Sequence, residues 1–148
     1  MQCKGIVIGS DHAGYKLKEY IKDLLSKKKY KIYDVGTCSE ESVDYPDYAE
    51  KVGVEVGKSK NIRGIAICGS GIGASISVNK IPGIRGALVH NARAARLSRA
   101  HNDANVLVLA GRPYNKENVK KIIHVWFKTK FLGGRHARRI KKISKLDK

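Results

Sequence analysis

The chain has 148 residues, 42% of them hydrophobic, which suits one domain with a core of its own. Its formal net charge is +17, from 30 Lys and Arg against 13 Asp and Glu; a surplus that large is expected either to solvate the surface or to meet a polyanion. No apolar run approaches the ~20 residues that cross a bilayer, and the 3 cysteines, far apart and without a CxxC spacing, exclude a disulfide framework and a zinc site.

The N-terminal stretch from Met1 to Gly9 leads straight into a strand. It lacks the apolar segment and cleavage site of a signal peptide, so a reducing, cytoplasmic setting is expected, with no membrane partner. Lys4 to Gly9 is apolar and β-branched, and Ser10-Asp11-His12 turns the chain. Leu17, Ile21, Leu24 and Leu25 follow at helical spacing, with Lys16, Lys18 and Lys22 read as a solvated face. Tyr30 to Val35 reads as a second strand and Thr37 to Pro46 as a polar loop. A helix is expected from Tyr48 to about Lys58, weakened by Gly53 and Gly57. Ile62 to Cys68 is the third strand, and Gly71 to Asn79 the helix after it. Pro82-Gly83 marks a turn before a fourth strand, Ile84 to Val89. Ala92 to Ala100 reads as helix and Val106 to Ala110 as a fifth strand. Asn115 is a candidate N-cap for a helix whose stripe is Val119, Ile122, Ile123, Trp126 and Phe127, stopped by Gly133-Gly134. In the basic tail, 135–148, Ile140, Ile143 and Leu146 recur three apart, as in a final helix that packs on something.

This alternation predicts a single α/β domain, 1–148: a doubly wound five-stranded parallel sheet in a Rossmann- or flavodoxin-like three-layer sandwich, with a C-terminal helical tail. Such sheets bind ligands beyond the carboxyl ends of their strands. That edge would gather Asp11 and His12 after the first strand, Cys68 and its glycine loop after the third, His90 after the fourth and Arg112 after the fifth.

Gly64 to Gly73 is the densest signal. A buried strand ends in Cys68 and runs into Gly69-Ser70-Gly71-Ile72-Gly73 at a helix start, where backbone N–H groups point outward with partial positive charge. Glycines let an anion approach, and the same field favours a thiolate, so Cys68 is placed to act as base or nucleophile on an anionic intermediate.

With these residues the chain resembles the ribose-5-phosphate isomerase B family, related to the galactose-6-phosphate and allose-6-phosphate isomerases. The resemblance runs from about Lys4 to Ile143. It rests on Gly9-Ser10-Asp11-His12-Ala13-Gly14, Asp44-Tyr45-Pro46, Cys68-Gly69-Ser70-Gly71-Ile72-Gly73, Asn79-Lys80, His101-Asn102-Asp103, and Gly134-Arg135-His136 with Arg139. It implies an aldose–ketose isomerase interconverting ribose 5-phosphate and ribulose 5-phosphate through a cis-enediolate, in the pentose phosphate pathway, without metal or cofactor. Cys68 would be the base; the glutamate that part of the family uses matches Ala74 here. Ser70 would shuttle protons between O1 and O2, and the loop at Gly69, Gly71, Gly73 and Ala74 would hold the enediolate oxygen. Asp11 and His101 would open the furanose ring. Tyr45 and Asn102 would contact sugar oxygens, and His12, Arg112, Arg135 and Arg139 would clamp the phosphate. The family forms dimers or tetramers, so a homodimer is expected. Its sites should be shared between subunits, because His101, Asn102, Arg135 and Arg139 follow helices that return the chain to the opposite sheet edge.

Other readings differ by class. The nearest alternative is an isomerase of a six-carbon sugar phosphate, allose or galactose 6-phosphate, since sugar length depends on pocket depth. A basic nucleic-acid-binding α/β protein would not require this constellation, and nucleic acid is accordingly disfavoured as a partner. A redox sensor at Cys68 would want a resolving cysteine nearby.

Overall fold

The computed structural model describes residues 3–148. Five parallel strands form the sheet: β1 (Gly5–Ser10), β2 (Lys31–Asp34), β3 (Ile62–Cys68), β4 (Gly86–Leu88) and β5 (Val106–Ala110), in the order β2-β1-β3-β5-β4. Six helices accompany them: α1 (Tyr15–Ser26), α2 (Tyr45–Gly57), α3 (Ile72–Val78), α4 (Ala92–Ala100), α5 (Lys116–Lys128) and α6 (Arg135–Ser144). The doubly wound arrangement is the expected one. From β1 the chain moves outward to β2, and from β3 it moves the other way, so the switch point lies between β1 and β3.

Period-two alternation sorts the strand side chains into two cores. Ile6, Ile8, Ile65, Ile67, Leu107 and Leu109 face α1, α4 and α5. Val7, Ala66, Cys68, Val106 and Val108 face α2 and α3. Trp126 of α5 is wholly buried, its Nε1–H donates to Ser98 Oγ at 3.2 Å, and the guanidinium groups of Arg63 and Arg99 lie 5.5 and 5.6 Å from its ring centroid. Cation–π contact helps this basic chain hold two arginines beside its core, and Arg99 Nη1 also donates to Asp103 Oδ1 at 2.8 Å and to the Ala104 carbonyl at 2.7 Å.

Four sequence expectations need correction. α2 begins at Tyr45, not Tyr48, because Pro46 occupies the first turn, where its missing N–H costs nothing. β4 shrinks to three residues, Gly86–Leu88, since β5 lies between it and β3 and leaves it at the sheet edge. α5 ends at Lys128, before Gly133-Gly134; both of those glycines have positive φ and instead lead into α6. Lys18 is not part of a solvated face. It is 1% exposed, its stem runs beside Gly36, and its Nζ reaches Asp34 at 2.5 Å and Glu19 at 3.0 Å. Burial pushes the Asp34 carboxyl up, but hydrogen bonds from Lys18, Lys22 and the Gly36 N–H together outweigh it and hold Asp34 below the usual carboxylate range. This knot ties α1 to the end of β2 and to the loop that leads to α2.

Candidate active site

Beyond Ser10, Asp11 caps a 3-10 turn, His12–Gly14, with Oδ1 accepting the Gly14 N–H at 3.0 Å. Asp11 is buried. His12 Nδ1 accepts the Val43 N–H at 3.2 Å, which leaves Nε2 as the donor of the neutral ring. The same bond fastens the β2–α2 loop to the site and delivers Tyr45 at the first turn of α2. Tyr45 lies directly over Gly73: a Cβ there would stand 2.4 Å from the Tyr45 Cζ. Only glycine leaves room for that ring.

Cys68 ends β3 on the α2–α3 side of the sheet and is 3% exposed. The loop after it is fixed from both sides. Gly111 N–H donates to the Cys68 carbonyl at 2.8 Å and Arg112 N–H to the Gly69 carbonyl at 3.0 Å, so the end of β5 holds the loop against the end of β3. Gly71 takes φ +78°, and a Cβ on it would strike Leu88 at 2.5 Å. Ser70 Oγ accepts the Ile72 N–H at 3.1 Å, whereas the N–H groups of Gly71, Gly73 and Ala74 have no acceptor among the described residues. Together they form a cluster of donors at the start of α3, under the Tyr45 ring, suited to an oxyanion. Asp11, His12, Tyr45, Ser70, Gly69, Gly71, Gly73, Ala74 and Arg112 therefore share the carboxyl edge with Cys68. His90, also near that edge, is exposed, and its carbonyl accepts from Asn118 Nδ2.

The remaining expected residues lie elsewhere in the same protomer. His101 is the C-cap of α4, and Asn102 follows it, at the amino edge of the sheet. Arg135 and Arg139 stand on α6 at that edge, where Leu132 N–H donates to the Ala100 carbonyl. The five residues of β5 separate the two edges by roughly 16 Å, beyond the reach of any of these side chains.

Sequence reasoning undervalued two features of this second group. His136 stacks on His101, with ring centroids 4.2 Å apart and planes 10° from parallel. Desolvation, then the neighbouring His101, Arg135 and Arg139, lower its pKa below the ordinary histidine value. Asp103 takes φ +46°, and its carboxylate accepts from Arg99 Nη1 at 2.8 Å and Arg85 Nη2 at 3.4 Å. Arg85 Nε also donates to the Asn102 carbonyl at 3.0 Å. The His101-Asn102 corner is thus held by two arginines. The HND spacing hints at the turn, but nothing local announces Arg85.

Among the described residues no group of three or more His, Cys, Asp or Glu is placed to hold a metal ion, and no helix is long and apolar enough to cross a membrane.

Residues 6–143 match the Ribose/Galactose Isomerase family. The chain is 40% identical over 144 residues to the Escherichia coli protein named ribose-5-phosphate isomerase B, covering 97% of each. It also resembles the solved structure of Clostridium thermocellum ribose-5-phosphate isomerase B, at 49% identity and TM-score 0.90, covering 96% of each chain. The Mycoplasma genitalium ribose-5-phosphate isomerase B, solved with bound ribulose-5-phosphate, aligns at 38% identity and TM-score 0.92 over 98% of this chain and 97% of its own. The chain belongs to the Ribose/Galactose Isomerase family and is an aldose–ketose isomerase of the ribose-5-phosphate isomerase B type.

Proposed function

We propose that this enzyme interconverts ribose 5-phosphate and ribulose 5-phosphate, as a cytoplasmic homodimer in the pentose phosphate pathway, with Cys68 as the base. The observation that carries this reading is the convergence of the Cys68 loop, its free N–H groups, Tyr45 and the Asp11–His12 turn at the β1–β3 switch point.

In the forward direction Asp11 and His101 open the furanose ring, one taking the proton of the anomeric O1–H while the other gives a proton to the ring oxygen as its bond to C1 breaks. The Cys68 sulfur takes the proton from C2 of the open aldose, leaving an enediolate whose charge rests on O1 against the N–H groups of Gly71, Gly73 and Ala74. Ser70 relays the hydroxyl proton from O2 to O1. Cys68 returns its proton to C1, and the product is the ketose; no atom is gained or lost. His12, Arg112, Arg135 and Arg139 hold the remote phosphate, which orients the reacting carbons. His101, Asn102, Arg135 and Arg139 come from the other subunit of a two-fold dimer, which sets one amino edge against the partner's carboxyl edge.

The test is Cys68→Ala, with solvent deuterium exchange at C1 and C2 as the readout. The variant should fold, bind substrate through the phosphate contacts, and lose both exchange and turnover. Exchange near the parent rate overturns Cys68 as the base. The family's own name, covering ribose and galactose, makes a six-carbon sugar phosphate the competing substrate. A coupled assay comparing ribose 5-phosphate with allose and galactose 6-phosphates decides between them.

A further inference from the structure

We propose that the amino edge of the sheet at its β2 end is a binding surface for single-stranded nucleic acid, separate from the isomerase site, a partner that the sequence alone disfavours and the placement of the lysines brings back. The winding gathers lysines there from segments far apart in sequence. The three consecutive lysines at 27–29 follow α1, Lys31 opens β2, Lys4 precedes β1, Lys60 precedes β3 and Lys128 ends α5, all exposed. Their proximity is fixed by contacts. Lys31 N–H donates to the Lys4 carbonyl at 3.3 Å, and Lys4 N–H to the Asn61 carbonyl at 2.9 Å. Tyr30 and Phe127, beside Lys29, Lys31 and Lys128, pack with ring centroids 5.2 Å apart. The acids at the flanking helix ends are Asp23, one turn before the lysine run, and Glu55 near the end of α2, already paired with Lys58 at 2.5 Å.

Helix C-termini collect at this edge, and each favours a cation or two by its dipole. A run of three lysines with further ones from four other segments exceeds that need and makes a continuous positive field, the footprint of a polyanion. An aromatic platform selects the kind. Tyr33 of β2 is 42% exposed, its ring lies across Gly5 rather than beneath a helix, and Lys31 Nζ sits 5.3 Å from its centroid. An exposed ring set among lysines can stack an unpaired base while the lysines follow the phosphates. Apart from Lys60 before β3 and Lys128 at the end of α5, the cluster lies beside β2 and β1, with β3 between it and β5, which His101 precedes, so occupation need not touch the catalytic groups.

The experiment uses the full-length enzyme and a fluorescein-labelled oligouridylate of about 20 nucleotides, followed by anisotropy across a KCl series starting near about 50 mM. Binding should weaken with salt. Replacing all three lysines at 27–29 by Gln should reduce the log–log salt slope by about 2 and the affinity roughly 10-fold, with isomerase turnover retained as the check on folding. Tyr33→Ala should weaken oligouridylate and leave duplex DNA of the same length unaffected. A control triple in α6 and its cap, Lys141, Lys142 and Lys145→Gln, removes the same charge and should change affinity less than about 3-fold. The proposal is overturned by no binding at low salt, by equal losses in the two triples, by indifference to Tyr33, or by capture of phosphatidylglycerol vesicles without oligonucleotide binding.

Discussion

Gly73→Ala tests whether Tyr45 is held where the chemistry needs it. The new Cβ would stand 2.4 Å from the Tyr45 Cζ and 2.8 Å from its hydroxyl, ~1 Å closer than carbon atoms tolerate. The ring is 40% exposed and can swing outward, so the strain is relieved by displacing it. Folding stability should change by less than about 1 kcal/mol, since alanine's better helix propensity offsets the small rearrangement. Turnover should suffer far more. A ~1 Å displacement of a positioning group costs up to about 100-fold, so kcat/KM is expected to fall between about 10- and 100-fold, or roughly 1.4 to 2.7 kcal/mol. Coupled assays and thermal melts of Gly73→Ala, Tyr45→Ala and the double variant complete a cycle. If displacement of the ring is the cause, the double variant should be no worse than Tyr45→Ala alone. Full activity in Gly73→Ala, or an undiminished penalty from it once Tyr45 is gone, would refute the reasoning.

Mixing Cys68→Ala and His101→Ala subunits under exchange conditions should recover part of the activity neither has alone; inactive mixed dimers, verified by mass, count against a shared site. Arg135→Ala and Arg139→Ala should raise KM more than they lower kcat, and weaken competition by inorganic phosphate, because a phosphate contact serves ground and transition states alike. Asp34→Asn should destabilise the fold at neutral pH by about 2 kcal/mol, as it strips buried Lys18 of one partner. The depressed Asp34 carboxyl contributes stability that is present above its unfolded value, near about 3.9, and lost as pH falls through the lower folded value. The gap in Tm between parent and variant should therefore narrow below about pH 4; a gap constant with pH contradicts the assigned pairing.

The layers of the fold were legible because hydrophobic periodicity reports burial directly, and Ile62–Cys68 and Val106–Ala110 emerge with the same bounds in sequence and structure. Strand order was not legible. Gly86–Leu88 carries too few residues to say whether it borders β3 or lies outside β5. The carboxyl-edge site could be read because Asp11, His12 and Cys68 each directly follow or end a strand. The charge reading failed at Lys18, because a lysine's long apolar stem fits a core wherever a carboxylate waits at its tip, and Asp34 is 16 residues away. The stack of His136 on His101 escaped for a similar reason, since 35 residues separate two rings that only the return of α6 to the amino edge brings together.

The place of β5 between β3 and β4 bears on how the chain becomes an enzyme as it is synthesised. β1, β2 and β3 can pair once residue 68 is available, but β4 has no neighbour until β5 arrives. The Cys68 and Gly69 carbonyls likewise wait for Gly111 and Arg112. A nascent chain that has made its catalytic cysteine and glycine loop still lacks the strand that sets their backbone. Closure of the sheet and maturation of the reactive loop are one event, so intermediates ending before residue 110 should be catalytically silent however much of their sheet has formed.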